Sequence, residues 1–336
     1  MNGLNAFSSY GGVAGSGKTF LYDALLATVR GQGKVALAVA STGLAATLLP
    51  LGRTAHSRFK IPIDADEHST RHIPRQSNLA GLLRMTSVVA WDEIGLVSKH
   101  VLNAVDRTVR DVLGCDDPFG GLIVLFGEDF RQSLPIVRRG GRAQTVEASC
   151  TRAPVWACVH VFRLQTNIRL ATSSASGSEK FRTHCIARFW GNVGDGKVPN
   201  VVGDGTYTDQ IEIPSELRRS GATANDLLRD AAPDLRDHVG GAAYFTKRVV
   251  LTRLNTTARA LNAATLEAFS APSIMSSSID AAGRDEGPVE WPMESLHFLD
   301  TTGVPPRELP LKNGAPYFFS ALLRNRESGS KGGPGF

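Results

Sequence analysis

The sequence predicts an α/β fold, a doubly wound parallel sheet, and three observations carry that prediction. A glycine-rich loop runs directly into a helix at residues 11–19. Apolar runs without alternation recur at 34–40, 87–91 and 121–126, the pattern of strands buried on both faces. Segments of helical periodicity lie between them, so strands and helices alternate along the chain.

Taken in order, the first strand has to come from residues 4–10, which are short and polar. They feed Gly-Gly-Val-Ala-Gly-Ser-Gly-Lys-Thr at 11–19, which from Gly12 reads G-x-x-x-x-G-K-T, the phosphate-binding loop pattern. Gly12, Gly15, Ser16 and Gly17 belong to a loop whose backbone N–H groups can curl around an anion. Lys18 puts a cation on the β- and γ-phosphates, and Thr19 offers a hydroxyl to Mg²⁺. Residues 20–30 carry apolar side chains at helical spacing, so the loop opens a helix whose first N–H groups favour a bound phosphate. A glycine-rich turn before a helix also serves as a plain connection. The helix that follows favours the nucleotide.

Gly31-Gln-Gly33 closes that helix, 34–40 is the next strand, and Ser41-Thr42-Gly43 breaks it before a second helix at 44–51. In doubly wound sheets ligands collect beyond the carboxyl ends of strands, where Thr42, Gly43 and the loop 52–57 fall. Residues 58–78, with Pro62 and Pro74, read as an excursion from the sheet. His68 and His72 stand four apart within it, and a solvated turn is preferred there to a metal site.

The strand at 87–91 delivers Asp92-Glu93 at its end. Acids at a strand end are common; following a phosphate loop, they suit Mg²⁺ binding by Asp92 and polarisation of the attacking water by Glu93. Helix 99–113 has Val101, Leu102, Val105, Val109 and Val112 on one face and is read as packing. The strand at 121–126 ends in Gly127-Glu-Asp-Phe-Arg-Gln-Ser-Leu-Pro135, where Gln132 can hydrogen-bond both a γ-phosphate and a water. Arg138, Arg139 and Arg142 follow; a solvated basic turn and a DNA contact both stay open. A further strand at 159–164 leads to Asn167-Ile-Arg169-Leu170.

After Leu170 the texture changes. Residues 171–178 read as a Ser/Ala/Gly linker, 191–241 are rich in Gly, Asp and Pro, 248–252 are strand-like and 256–269 helical. The polar stretch 270–290 looks like an insertion, and 327–336 is tail material. The expected organisation is therefore 1–160 as the ATP-binding domain with the phosphate loop and the acid pair, 161–326 as a partial second domain, and 327–336 as a tail.

Bulk properties agree with 336 residues in two domains. Apolar content of 42% and charged content of 21% fit a globular protein, and no apolar run reaches the length of a membrane helix. A net charge of +5 permits a polyanionic partner without requiring one. Arginines outnumber lysines, which suits phosphate contacts and equally a coding bias. Cys115, Cys150, Cys158 and Cys185 form no C-x-x-C pair, so reduced thiols in an intracellular protein are expected.

The order of motifs is recognisable. The phosphate loop, Ala40-Ser-Thr-Gly-Leu-Ala-Ala46, Gly52-Arg-Thr-Ala-His-Ser57, Asp92-Glu-Ile94, Asp129-Phe-Arg-Gln-Ser-Leu-Pro135 and Asn167-Ile-Arg-Leu170 together resemble the Pif-type DNA helicases of superfamily one, especially those associated with Helitron transposons. The likeness is dense over 11–170, thins, and reappears at 244–262 and 304–316. It implies a P-loop NTPase with a RecA-like doubly wound sheet, followed by a second, incomplete RecA-like domain. The implied activity is ATP hydrolysis driving 5′-to-3′ movement on single-stranded DNA and unwinding at duplex junctions. Repair, recombination and telomere maintenance are the family's roles, in the nucleus first and the mitochondrion second. By this likeness Lys18, Asp92, Glu93, Gln132 and Arg169 are catalytic. Arg169 would approach from the second domain's side, and Thr42, Gly43, Arg53, Thr54 and His56 would line the DNA path.

Three departures stand against the family pattern. The hydrophobic strand and adenine-recognition segment before the loop are degraded or absent. Glu128 replaces the second of two glycines, so its charge is expected to repel phosphates. The later DNA-coupling and arginine motifs do not appear, so a truncated chain is expected, one that binds Mg-ATP and DNA weakly and whose longer native form would have room for a transposon replication-initiator region. A small-molecule kinase and a nucleic-acid-binding remnant without motor activity are the alternatives.

Overall fold

The computed structural model describes residues 7–12, 15–62, 65–67, 69, 73–132, 134–137, 139–172, 177–203, 206–218, 223–252, 254–277 and 307–317. His68, His72, Arg138 and the 327–336 tail lie outside the described residues. The chain divides into two compact units, Met1–Leu217 and Arg218–Phe336.

The first unit begins with β1 (Phe7–Gly12), α1 (Lys18–Gly31), β2 (Val35–Ala40), α2 (Gly43–Thr47), β3 (Arg53–Thr54) and α3 (Ala55–Phe59). It continues through α4 (Asn78–Met85), β4 (Thr86–Asp92), α5 (Lys99–Leu113), β5 (Ile123–Glu128), α6 (Arg142–Ala148) and β6 (Val159–Leu164). These strands make one sheet in the order β3-β2-β4-β5-β1-β6, and every pairing is parallel. The polar first strand is therefore an interior strand, bonded on both sides, with Ser8 opposite Leu125 and Phe7 opposite Val159. Its position comes from two backbone ladders, which hydropathy does not register.

Alternation in β2 and β4 divides the core between the two faces of the sheet. Leu37, Val39, Val89 and Trp91 join one cluster with Phe59, Leu102, Val105 and Phe126. Ala36, Ala38, Ala40, Val88 and Ala90 join the other with Tyr22 and Leu26 of α1. The alanines let α1 lie close to the sheet, which sets the helix that follows the phosphate loop. Trp91 is fully buried, stacked on Phe59 with ring centroids 5.6 Å apart, and its Nε1–H donates to Ser41 Oγ at 3.2 Å.

Helix α5 has the predicted bounds because both ends are signalled. Ser98 accepts the Val101 N–H at the start, and Gly114 closes the helix at φ 64°. The second helix is shorter than 44–51: it ends at Thr47, since Pro50 disfavours helical backbone before it and Leu51 is left-handed at φ 57°. Strand β5 starts at Ile123 rather than Gly121, because Pro118–Gly121 forms a turn held by the Phe119 N–H on buried Asp106. The excursion after α3 returns to the core through Ile61 and Ile73.

Beyond β6 the first unit holds α7 (Ile168–Ala171), α8 (Gly177–Gly194) and an antiparallel pair, β7 (Asn200–Gly203) and β8 (Thr206–Ile211). The second unit contains α9 (Ala224–Ala231), α10 (Ala242–Phe245), α11 (Asn255–Glu267), β9 (Ser273–Ser277) and β10 (Glu308–Lys312), the last two antiparallel. The Tyr244 ring stacks on the His238 ring and carries the Arg248 guanidinium 3.9 Å from its centroid, and Tyr244, Leu261 and Phe269 are buried in this unit. The strand expected at 248–252 does not form. Val249 and Leu251 are 77% and 87% exposed, and among the described residues no strand lies beside them to complete a ladder. No helix of the described residues is long and apolar enough to cross a membrane.

Candidate nucleotide site

Strands β1, β4 and β5 end on the same side of the sheet, and their following loops enclose a cleft of about 550 Å³. Gly15, Ser16, Gly17, Lys18, Thr19, Asp92, Glu93, Gln132 and Arg169 all line it. Residues predicted from four separate stretches of sequence thus meet in one place. Gly12 is the last residue of β1, immediately before the loop.

The loop conformation requires its glycines. Gly15 and Gly17 have φ of 80° and 91°, which L side chains avoid. Gly17 starts α1 without a side-chain cap, so the helix presents its first N–H groups at the cleft. Ser16 is only 4% exposed, and its Oγ has no hydrogen-bond partner among the described residues. A buried hydroxyl without a partner is costly unless a ligand supplies one.

Asn167–Leu170 packs against this loop. The Arg169 N–H donates to the Gly15 carbonyl at 3.1 Å, and a Cβ on Gly15 would lie 2.7 Å from Asn167 Oδ1. Asn167 Oδ1 also accepts the Leu170 N–H at 3.1 Å, capping α7. Arg169 therefore sits in the same compact unit as the loop, where the resemblance had placed it on the second domain's side. Asn167 carries no candidate role in the sequence reading; its signal was the Asn at the start of a short helix.

Glu93 is under strain, and both acids of the pair are partly desolvated. Glu93 is left-handed at φ 59°, a conformation that costs energy for a residue with a Cβ and that concentrates at functional sites. Burial raises the Asp92 carboxyl above its ordinary range, against the Glu93 N–H and the Lys18 charge. Burial also raises Glu93, with the Asp92 charge next, and Lys18 opposes. Gly127 is needed behind them: a Cβ there would collide with the Tyr22 hydroxyl and come within 2.6 Å of Asp92 Oδ1.

Glu128 lines the cleft but does not stand as a bare charge in it. It is 3% exposed, Oε1 accepts the Asp129 N–H at 2.7 Å, and Oε2 accepts the Gly95 N–H. Burial pushes its carboxyl up to about 7; the Glu93 and Asp129 charges add to the rise, and the two N–H donors oppose it. Near neutral pH it carries part of a charge, which tempers the repulsion expected from the sequence. Gln132 is held from the same loop, its Nε2 donating to Asp129 Oδ2 at 3.1 Å and its N–H to the Asp129 carbonyl.

The five residues assigned to a DNA path lie at the ends of β2 and β3, outside the cleft lining. Thr42 caps α2 through the Ala45 N–H at 3.2 Å, and Thr54 caps α3 through the Ser57 N–H at 3.3 Å. Gly43 opens α2 in free space, Arg53 is exposed, and half-buried His56 has its pKa lowered by burial. Helix α2 joins the two regions, since its Ala45 and the adjacent Leu48 line the cleft. The four cysteines are free, and burial pushes the Cys150 thiol up to about 12.

Among the described residues, no cluster of three or more His, Cys, Asp or Glu could hold a metal ion. Thr19 and Asp92 both line the cleft and fit a Mg²⁺ held mainly by nucleotide phosphates and water, the usual arrangement for that ion.

A parallel sheet with a glycine loop entering α1, an acid pair on β4 and a glutamine after β5 defines a RecA-like P-loop NTPase. The model of the PIF1-like helicase family matches residues 2–204, and the chain belongs to that family. It is 34% identical over 140 residues to the ATP-dependent DNA helicase Pif1 of Psychrobacter, covering 41% of this chain and 21% of that protein. It is 31% identical over 170 residues to the ATP-dependent DNA helicase RRM3 of Saccharomyces cerevisiae, covering 47% and 23%. The chain thus spans about a fifth of the length of these relatives. The crystal structure of the Pif1 helicase from Candida albicans shares the fold, with a TM-score of 0.61 and 22% identity over 92% of this chain and 60% of that one.

Proposed function

We propose that this chain carries the ATP-hydrolysing core of a DNA helicase, coupling nucleotide turnover to movement on single-stranded DNA. One observation carries the reading: the phosphate loop, the acid pair, Gln132 and Arg169 converge on a single cleft at the ends of parallel strands.

In this reading the loop N–H groups, Ser16 and Lys18 hold the β- and γ-phosphates of ATP. Thr19 and Asp92 hold Mg²⁺, which when bound neutralises charge on the phosphate oxygens. Glu93, with a carboxyl kept above its ordinary range, takes the proton of the attacking water. Gln132 orients that water and reports whether a γ-phosphate is present. Arg169 meets the charge that develops on the transferring group; an arginine in this role contributes about 10³–10⁵ in rate.

Thr42, Gly43, Arg53, Thr54 and His56 make the DNA-facing segment, contacting phosphates without reading bases. Helix α2 relays cleft occupancy to it, through Ala45 and Leu48 at one side and Thr42 at its start. The 5′-to-3′ direction, the roles in repair, recombination and telomere maintenance, and a nuclear or mitochondrial setting rest on the family likeness.

Equilibrium binding of a fluorescent ATP analogue to the parent chain and to Lys18→Ala and Asp92→Asn tests the site. Lys18→Ala is expected to lose binding with or without Mg²⁺, and Asp92→Asn to lose the Mg²⁺-dependent part. Binding indifferent to both substitutions would refute the assignment.

A further inference from the structure

Between the acid pair and the Gln132 loop lies a carboxylate that no step of the proposed reaction uses. Glu128 is the last residue of β5, and its two oxygens serve two different loops. Oε2 takes the N–H of Gly95, in the turn that follows Glu93; Oε1 takes the N–H of Asp129, which opens the loop carrying Gln132. The pocket that receives it is shaped for a carboxylate. Gly95 is buried, and a Cβ there would meet the Glu128 carboxyl, with Oε1 at 2.6 Å. The Gly95 N–H would otherwise face the cost of a buried donor without an acceptor.

We propose that Glu128 is a positioning residue that ties the Glu93 turn to the Gln132 loop, so that the water-activating carboxylate and the γ-phosphate sensor keep one relative placement. This rests on the reading of the cleft given above. A glycine at this position would offer neither N–H an acceptor. The Glu128 carboxylate is therefore what fixes the two loops to each other. It acts through Gln132, and Gln132 has a partner on ATP that ADP lacks, so its loss is selective between the two nucleotides. A purely structural contact would not discriminate between them, and a purely repulsive charge would act in the opposite direction.

The test is a double-mutant cycle on nucleotide affinity at pH 8, where hydrolysis is not needed. A non-hydrolysable ATP analogue and ADP are titrated into the parent chain, Glu128→Ala, Gln132→Ala and the double variant. Glu128→Ala is expected to weaken the analogue about tenfold, the worth of a hydrogen bond to a charged acceptor, and ADP less than about twofold. The double variant should be no weaker than Gln132→Ala alone, since coupled residues are not additive. Glu128→Gln, which keeps one acceptor oxygen, should show a smaller loss of the same selectivity, and it carries the test if the alanine variant does not fold. Equal losses for both nucleotides, multiplying effects, no effect, or tighter analogue binding would each overturn the proposal. Lys18→Ala separates the two readings. A parent chain that binds nucleotide no better than Lys18→Ala sinks the cleft assignment and this proposal with it. Lys18-dependent binding without the selective loss sinks this proposal alone.

Discussion

The Arg169 N–H donates to the carbonyl of Gly15 at 3.1 Å, so the arginine segment and the phosphate loop share a backbone bond. A ligand that reshapes the loop is therefore expected to act on the Arg169 segment through this bond. Coupling through a backbone contact survives side-chain substitution at position 169, which separates placement of the segment from the charge that it carries.

Gly15→Ala attacks this relationship in two ways. It forces a side chain into φ 80° and sets a Cβ 2.7 Å from Asn167 Oδ1. The expected result is a loss of at least about 1 kcal/mol in urea unfolding together with weaker nucleotide binding. Arg169→Ala should leave unfolding nearly unchanged while lowering turnover.

Trp91 is fully buried in the core and packs against Phe59 and Phe126. Trp91→Ala is expected to cost about 3–5 kcal/mol, read as a lowered urea midpoint, because the sheet cannot collapse into the space left. Since Asp92 follows directly in β4, nucleotide affinity should fall in the same variant.

Glu128 predicts a pH dependence of stability. Its folded carboxyl is raised from 4.5 to about 7, so between those values the folded state binds more protons than the unfolded. Its contribution is fully present below pH 4.5 and is lost as pH rises towards 7. Each pH unit of that interval is worth roughly 1.4 kcal/mol, so the whole change is about 3 kcal/mol at most. The difference in unfolding free energy between the parent and Glu128→Gln, measured at pH 5 and pH 8, isolates it from Asp92 and Glu93. A difference that does not change with pH would contradict the assignment.

The cysteines should separate by burial. Cys158 and Cys185 are exposed, whereas Cys150 is buried with its thiol pushed up to about 12. A thiol reagent at pH 8 should modify the first two in the native protein and Cys150 only after unfolding, read by mass spectrometry of the peptides.

Much of this was legible in the sequence where a local pattern decides the structure. Helix α5 and strand β6 have their predicted bounds because periodicity and caps mark them. The cleft lining was legible in two ways: the loop and the acid pair carry chemical signatures of their own, whereas Gln132 needed the surrounding motifs and Arg169 came only from the family resemblance. What was not legible depends on partners distant in sequence. The two N–H donors that capture Glu128 come from Gly95 and Asp129, and no rule of spacing connects the first of them to position 128. Strand β9 lies inside a stretch read as a polar insertion, because its pairing with β10 is set by backbone register. Residues 248–252 show the converse, a strand composition without a described neighbour to pair with.

Steady-state ATP hydrolysis by the parent chain and by Lys18→Ala, each with and without single-stranded DNA, decides whether the cleft is the engine of a DNA motor. Turnover is expected to rise with DNA in the parent and to vanish in Lys18→Ala. Hydrolysis that ignores DNA, or that survives loss of Lys18, would contradict that role.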